Sequence, residues 1–533
     1  MIAPMSHVAG PPPILLAVDR ALRGNDVAEA MTLARRALDQ GLRDSILLGL
    51  RAYWHESQGR FMAAVQDLEQ ARQFAPCDAR LLNALGRCLI ELGRNDEALT
   101  ALDGALSIEP SLARAHYNRG LALERQGKLL PAAEAQSQAL ALEPGMADAL
   151  SRLASLAVHR GDWEDAERLA ASALATDPDN AIALLAHARA TLGTGDFAEA
   201  ERAARVAAAS PKAPPLAKAH ALIQLGDALD RQNRPPEAFA AYAAGRNAEH
   251  AIFADRFAAV ESGAQLAARL AQDLETSSWT RRAPRPAPVF LLGFPRSGTT
   301  LLGQILAAHP NVRVLEEQPL LQAVVEEQLL PPGSIARLAA LPESERERYR
   351  AIFWSAAGGA SHDLLVDQGP FNTLYLPAIA ALFPGAHVVF ALRDPRDVVF
   401  SCFRQNFVMH RFTFELLSLE SAAAFYSRTM HLAESARSRL PLQFHPVRNE
   451  DVISDFEGTV RGLCAALGIA WDPAMKDFGS SARARAIATP SAVQVARGLS
   501  AGSMGRWRPY EKQLGPVLPV LEPWVERFGY AQS

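Results

Sequence analysis

The chain has 533 residues, 49% of them hydrophobic and 21% charged, with a formal net charge of −4. That length is too great for one core and implies two or three domains, while the near-neutral charge excludes a general nucleic-acid binder and leaves any polyanion site to be local. The four cysteines, Cys77, Cys88, Cys402 and Cys464, form no CxxC pair and no metal spacing, which fits a reducing compartment.

From the N-terminus onward, MIAPMSHVAGPPPILLAVDR lacks the basic segment and long apolar core of a secretory signal. No uncharged apolar run reaches the ~18 residues of a membrane span. The expectation is a cytoplasmic protein with a flexible segment at residues 1–13.

The first half is periodic. Gly59, Gly93, Gly127, Gly161 and Gly195 recur every 34 residues, as do Ala30, Ala64, Ala98, Ala132, Ala166 and Ala200. Pro76, Pro110, Pro144 and Pro178 follow the same period of 34. A helix–turn–helix unit explains all three: glycine makes the turn, alanine allows close packing, and proline breaks the chain between units. Segments such as LLNALGRCLIELGRNDEALTALDGALSIEP resemble the tetratricopeptide repeat. The resemblance implies an all-α solenoid over residues 14–250, less regular after 210, with a groove for a protein or peptide partner. A purely structural array, or one that forms a homodimer, is the alternative use. Residues 251–287 read as a helical connection and linker ending in TRRAPRPAP.

From residue 288 to 533 apolar strands alternate with helices. PVFLLGF, LLVDQGP, HVVFALRD and LQFHPVRNED are the candidate strands of a central parallel sheet in an α/β, P-loop-like domain. The loop from Gly293 to Thr300, GFPRSGTT, nearly matches the phosphate-binding loop G-x-x-x-x-G-K-[ST], but Thr299 stands where the lysine belongs. Backbone N–H groups at a helix start, with Gly298 permitting close approach, suit an anion. Ser297, Thr299 and Thr300 add hydroxyls, and Arg296 adds a planar fork of donors. Without the lysine a triphosphate is disfavoured. The second motif is ALRDPRDVVFSCFRQNF, in which Arg393 ends a strand and Ser401 lies two turns into the following helix.

PRSGTT followed by RDPRDVVFS resembles the sulfotransferase family, especially its tyrosylprotein branch and its bacterial repeat-containing relatives; the resemblance runs from Pro288 to Tyr530. It implies a sulfotransferase fold and the donor 3′-phosphoadenosine 5′-phosphosulfate, with no metal. It also implies that Arg296, Ser297, Gly298, Thr299 and Thr300 hold the 5′-phosphosulfate while Arg393 and Ser401 hold the 3′-phosphate. In AAHPNVRVLEEQPLL the matching base is Glu317, with Glu316 as the fallback; a bare Glu–Glu pair would otherwise read as a solvated helix start. In the tail, Gly479 to Tyr510 holds five arginines and no acidic residue. By the same resemblance Ser491, Gln494, Arg497 and Arg506 line the donor site and Trp507 anchors the segment.

Three departures stand out. Gln368 in VDQGPFN occupies the place of a lysine near the transferring sulfate, a transition-state position where a neutral amide stabilises charge less. Asn449 replaces a tyrosine in VRNEDV, and Gln405 replaces an arginine for which the adjacent Arg404 is a substitute. The acceptor is a hydroxyl on a protein tyrosine, a saccharide or a small molecule. Two other readings stay open: a non-catalytic repeat scaffold that binds the donor or its adenosine bisphosphate product, and a P-loop kinase.

Overall fold

The computed structural model describes residues 12–280, 282–359, 364–479, 502 and 504–530. The chain divides into two compact units, one running to His187 and the other from Ala188, with residues 159–161 grouped with the second. None of the helices among the described residues is long and apolar enough to cross a membrane.

Among the described residues, fourteen of the fifteen helices before the sheet follow one another as helix–turn–helix pairs. In order they are α1 (Pro13–Arg23), α2 (Val27–Asp39), α3 (Ser45–Ser57), α4 (Phe61–Phe74), α5 (Ala79–Glu91), α6 (Asn95–Ile108), α7 (Ala113–Arg125) and α8 (Leu129–Leu142). There follow α9 (Ala147–Arg160), α10 (Trp163–Thr176), α11 (Ala181–Thr194), α12 (Phe197–Ala209), α13 (Pro215–Arg231), α14 (Pro235–Phe257) and α15 (Gly263–Thr276). The periodic alanines are buried, from Ala30 to Ala200, because a larger side chain would separate each helix pair. Gly86 on α5 shows how close the approach is: a Cβ there would lie 2.5 Å from Leu102 of α6.

The turn inside each pair takes a left-handed residue. Gly59, Gly93, Gly127, Gly161 and Gly195 have φ between 70° and 97°. Asn25 (φ 56°) stands one period before Gly59, and Asn233 (φ 57°) makes the turn after α13. Asparagine tolerates this region, so two further turns belong to the series that glycine spacing alone misses. The step from Gly195 to Asn233 is longer because α13 has 17 residues where α3, α5, α7, α9 and α11 have 13 or 14. Likewise α14 runs unbroken past residue 250 to Phe257.

In the second unit five parallel strands form one sheet in the order β2-β3-β1-β4-β5. They are β1 (Val289–Leu292), β2 (Val312–Glu316), β3 (Leu364–Gln368), β4 (His387–Leu392) and β5 (Gln443–Arg448). Four of these were expected from apolar runs. β2, in NVRVLEE, was not, since its burial is only partial beyond Val312. The connecting helices used below are α16 (Thr299–Ala307), α17 (Leu376–Leu382), α18 (Pro395–Phe403) and α19 (Leu419–Arg439).

Side chains alternate across the sheet, so Val289 and Leu291 pack with Leu302 and Ile305 of α16 on one face. Phe290 and Leu292 point to the other face, in one apolar cluster with Phe400 of α18 and Phe425 of α19. Ala203, Ile223 and Leu270 of α12, α13 and α15 belong to that same cluster. A buried ion pair, Arg246–Glu249 on α14, is fastened there, with Arg246 Nε donating to the carbonyl of Phe403 at the end of α18 (2.5 Å). A cation at a helix C-terminus opposes the dipole's negative end.

Candidate functional site

The loop after β1 lies at the carboxyl edge of the sheet, where α/β folds bind ligands. Gly293 donates its N–H to Thr373 Oγ1 (3.1 Å) and accepts the Thr373 hydroxyl (2.6 Å), which pins the loop's first residue. Arg296 has φ 70° and Gly298 φ 104°. At Gly298 the left-handed backbone favours glycine, and a Cβ there would sit 2.7 Å from Asn449 Oδ1, so that side chain would have to move. Gly298 is also the N-cap of α16 and no side chain caps that end. The helix therefore begins with backbone donors and the positive end of its dipole turned toward the loop.

The second motif reaches this loop through α18. Asp394 caps it by accepting from the Arg396 N–H (2.9 Å), and Pro395 occupies its first turn. Ser401 then lies beside the loop, and Arg296 Nε donates to Ser401 Oγ at 3.0 Å. Arg393 donates to the Arg296 carbonyl (3.2 Å) and lies 3.7 Å from Asp397. Burial, with Arg393 and then Arg404 and Arg189 nearby, pulls the Arg296 guanidinium down to about 10. Desolvation is the larger cause of the drop, and the neighbouring Arg393 adds to it.

Glu317 directly follows β2, so the Glu–Glu pair ends a strand and does not begin a helix. Its N–H donates to the Gln368 carbonyl (2.7 Å) and its φ is 50°. Because β3 lies between β2 and β1, Glu317 stands two strand spacings from the loop, about 10 Å. Its carboxylate is open to solvent, yet desolvation by its surroundings and the charge of Glu316 raise it above the usual range. Glu316 instead accepts from Gln304 of α16.

Gln368 ends β3 with its side chain fully buried against Gly303 of α16. Neither its Oε1 nor its Nε2 has a hydrogen-bond partner. Asn449 follows β5 and abuts Gly298, and Arg448 stacks 4.2 Å over the Tyr530 ring while the Tyr530 hydroxyl donates to Glu450 (2.7 Å). Tyr530 thus packs against both sequence neighbours of Asn449.

In the tail, Ser491, Gln494 and Arg497 lie outside the described residues. Trp507 is buried under the Arg396 guanidinium (4.2 Å), and its N–H and that of Gly505 donate to Asp397 at 3.0 and 2.7 Å. Arg506, between them, donates to Asp230 of α13. Arg404, the neighbour of Gln405, is held by Asp227 (2.9 Å) and Asp230 (3.3 Å). Burial opposes the charge on Asp227, but Arg404 and Arg189 hold its carboxyl below the usual range. Asp227 and Asp230 gave no signal in the sequence, because GDALD inside a repeat helix reads as a polar face.

Comparison with known proteins follows this division. Residues 288–473 match the model of the "Sulfotransferase family", and residues 86–127, 117–181 and 157–223 match tetratricopeptide repeat models. An uncharacterized protein of Aquifex aeolicus (strain VF5) is 29% identical over 259 residues, 45% of this chain and 33% of that protein. A putative protein-tyrosine sulfotransferase of Caenorhabditis briggsae is 31% identical over 116 residues, 21% of this chain and 41% of that protein. Protein-tyrosine sulfotransferase 1 of Danio rerio is 24% identical over 268 residues, 45% of this chain and 72% of its own length. The chain thus spans between a third and two fifths of the first two relatives. It carries repeats of the tetratricopeptide type in its N-terminal part and a sulfotransferase-family domain at residues 288–473.

Proposed function

We propose that the sulfotransferase-family domain of this chain moves a sulfuryl group from 3′-phosphoadenosine 5′-phosphosulfate to a hydroxyl acceptor. The observation that carries the reading is the convergence of the two motifs: Arg296 of the loop bonds Ser401 of α18, with Arg393 alongside. A donor with phosphate at both ends of its ribose suits Arg296 and Arg393 side by side at the loop, where burial first and Arg393 next lower the Arg296 guanidinium to about 10. Binding such an anion relieves their mutual repulsion.

In this reading the loop N–H groups, Ser297, Gly298, Thr299, Thr300 and Arg296 hold the phosphosulfate, and Arg393 and Ser401 hold the 3′-phosphate. Ser491, Gln494, Arg497 and Arg506 belong to the donor site by resemblance. Arg296 and the start of α16 stabilise charge on the departing phosphate. Glu317 accepts the proton of the acceptor hydroxyl, which its raised carboxyl suits. The backbone strain at Glu317 is of the kind stored at functional positions. The acceptor is a tyrosine hydroxyl on a protein that the repeats recruit, a reading supported by the two relatives named as protein-tyrosine sulfotransferases.

Labelled donor incubated with the full chain and tyrosine-containing peptides tests the reading, with adenosine 3′,5′-bisphosphate binding measured alongside. Transfer together with bisphosphate binding supports it. Bisphosphate binding without transfer to any hydroxyl acceptor favours the non-catalytic scaffold, for which the lysine-replacing, unpartnered Gln368 is the specific observation. Preference for ATP with magnesium overturns the donor assignment.

A further inference from the structure

We propose that Asp230, on helix α13 of the helical region, is a positioning residue for donor binding, acting through Arg506. The inference rests on the donor reading above, in which Arg506 faces the nucleotide. Asp230 is nearly buried, with a side-chain exposure of 9%, and three groups from the α/β part of the unit converge on it. Arg404 donates at 3.3 Å, the Tyr510 hydroxyl at 2.6 Å, and Arg506 at close range. The backbone on either side of Arg506 is held by a different carboxylate, Asp397, through the N–H groups of Gly505 (2.7 Å) and Trp507 (3.0 Å). Asp397 in turn lies 3.7 Å from Arg393, whose guanidinium bonds the Arg296 carbonyl of the donor loop.

Arg506 is thus fixed twice, its backbone by Asp397 and its side chain by Asp230. A long, partly exposed arginine without the second anchor would sample many rotamers, and ordering it would then fall on the ligand. Helix α13 thereby becomes part of the donor machinery, although it carries no family motif.

The sign of the effect separates this from simple charge. Removing a carboxylate beside an anion site raises anion affinity if charge alone acts. Positioning predicts the opposite.

The test is adenosine 3′,5′-bisphosphate binding to the full chain by calorimetry, with thermal melting on the same samples. Asp230→Asn is expected to weaken binding about tenfold, Asp230→Glu to recover part of it, and Arg506→Ala to weaken it similarly. In the Arg506→Ala background, adding Asp230→Asn is expected to change affinity less than about twofold, because the two act as one unit. A purely structural role predicts equal losses in both backgrounds. Tyr510→Phe removes one hydrogen bond to Asp230 and leaves the carboxylate–arginine pair, so it is expected to bind the bisphosphate within about twofold of the parent, and the melts show whether the Asp230 variants are folded. Unchanged or tighter binding by Asp230→Asn, or losses that add in the double variant, overturns the proposal while leaving the donor reading intact. Failure of the parent protein to bind the bisphosphate overturns both.

Discussion

Arg296 and Ser401, 105 positions apart in sequence, are joined by a 3.0 Å hydrogen bond from Nε to Oγ. The bond unites the loop of one motif with the helix of the other and couples the two residues. Ser401→Ala is expected to weaken adenosine 3′,5′-bisphosphate binding about ten- to 150-fold, the value of one hydrogen bond to a charged group. Arg296→Ala is expected to abolish sulfuryl transfer, with binding lost to a lesser degree. Equilibrium binding and labelled-donor transfer on both variants check this, and unaltered transfer by Arg296→Ala would remove that residue from the chemistry.

Glu317 combines a left-handed backbone with a raised carboxyl. A base must be deprotonated to work, so the rate is expected to fall on the acid side through a value above the ordinary 4.5. Glu317→Gln is expected to lower kcat by about 100-fold or more and to flatten that limb. Glu317→Gly is expected to be equally inactive yet no less stable, with a gain of up to about 1 kcal/mol as the backbone strain is relieved. Loss of stability in the glycine variant would mean that φ of 50° is held by side-chain contacts.

The buried amide of Gln368 has two polar atoms with no partner. Gln368→Met keeps the shape and removes both, and is expected to raise stability by about 1–3 kcal/mol in denaturant titration. Its transfer rate is expected to fall if the amide turns to the donor during reaction. Gln368→Lys is expected to leave transfer unchanged or raise it; abolished transfer would show that the family lysine and Gln368 are not equivalent.

Asp367, next on β3 and facing the opposite side of the sheet, is buried, and burial pushes its carboxyl up to about 7 from 3.8. Because the folded state holds the proton more tightly than the unfolded one, stability is greatest below about pH 4. It is lost as pH rises towards 7, by at most about 4 kcal/mol. Asp367→Asn is expected to be more stable than the parent at pH 8 and indistinguishable at pH 4. Equal pH dependence in the two would show that Asp367 is charged in the fold.

Arg246 and Glu249 are both buried, with 2% and 1% side-chain exposure, so neither has water to replace its partner. Glu249→Gln is expected to cost about 3–5 kcal/mol, since it strands the guanidinium at the end of α18. Chemical denaturation reads this directly, and a cost below about 1 kcal/mol would mean that the carbonyl of Phe403 and Asn406 suffice for Arg246.

The sequence by itself determined whatever rests on local chemistry repeated or concentrated along the chain. A period of 34 in glycine, alanine and proline specified the helix pairs, because turn geometry and close packing each admit few residue types. Apolar runs specified β1, β3, β4 and β5, and GFPRSGTT and RDPRDVVFS specified the loop after β1 and the helix that meets it. β2 escaped because only Val312 of its five residues is buried, and Asn25 and Asn233 escaped because asparagine can make a glycine's turn. Tertiary structure alone decided which charges meet. Arg404, a candidate for phosphate by position, is neutralised by Asp227 and Asp230 from a helix more than 170 residues earlier. Long-range ion pairs leave no period and no local pattern; they follow from which helix the hydrophobic core draws against the sheet, and Ile223 and Leu270 bring α13 and α15 there.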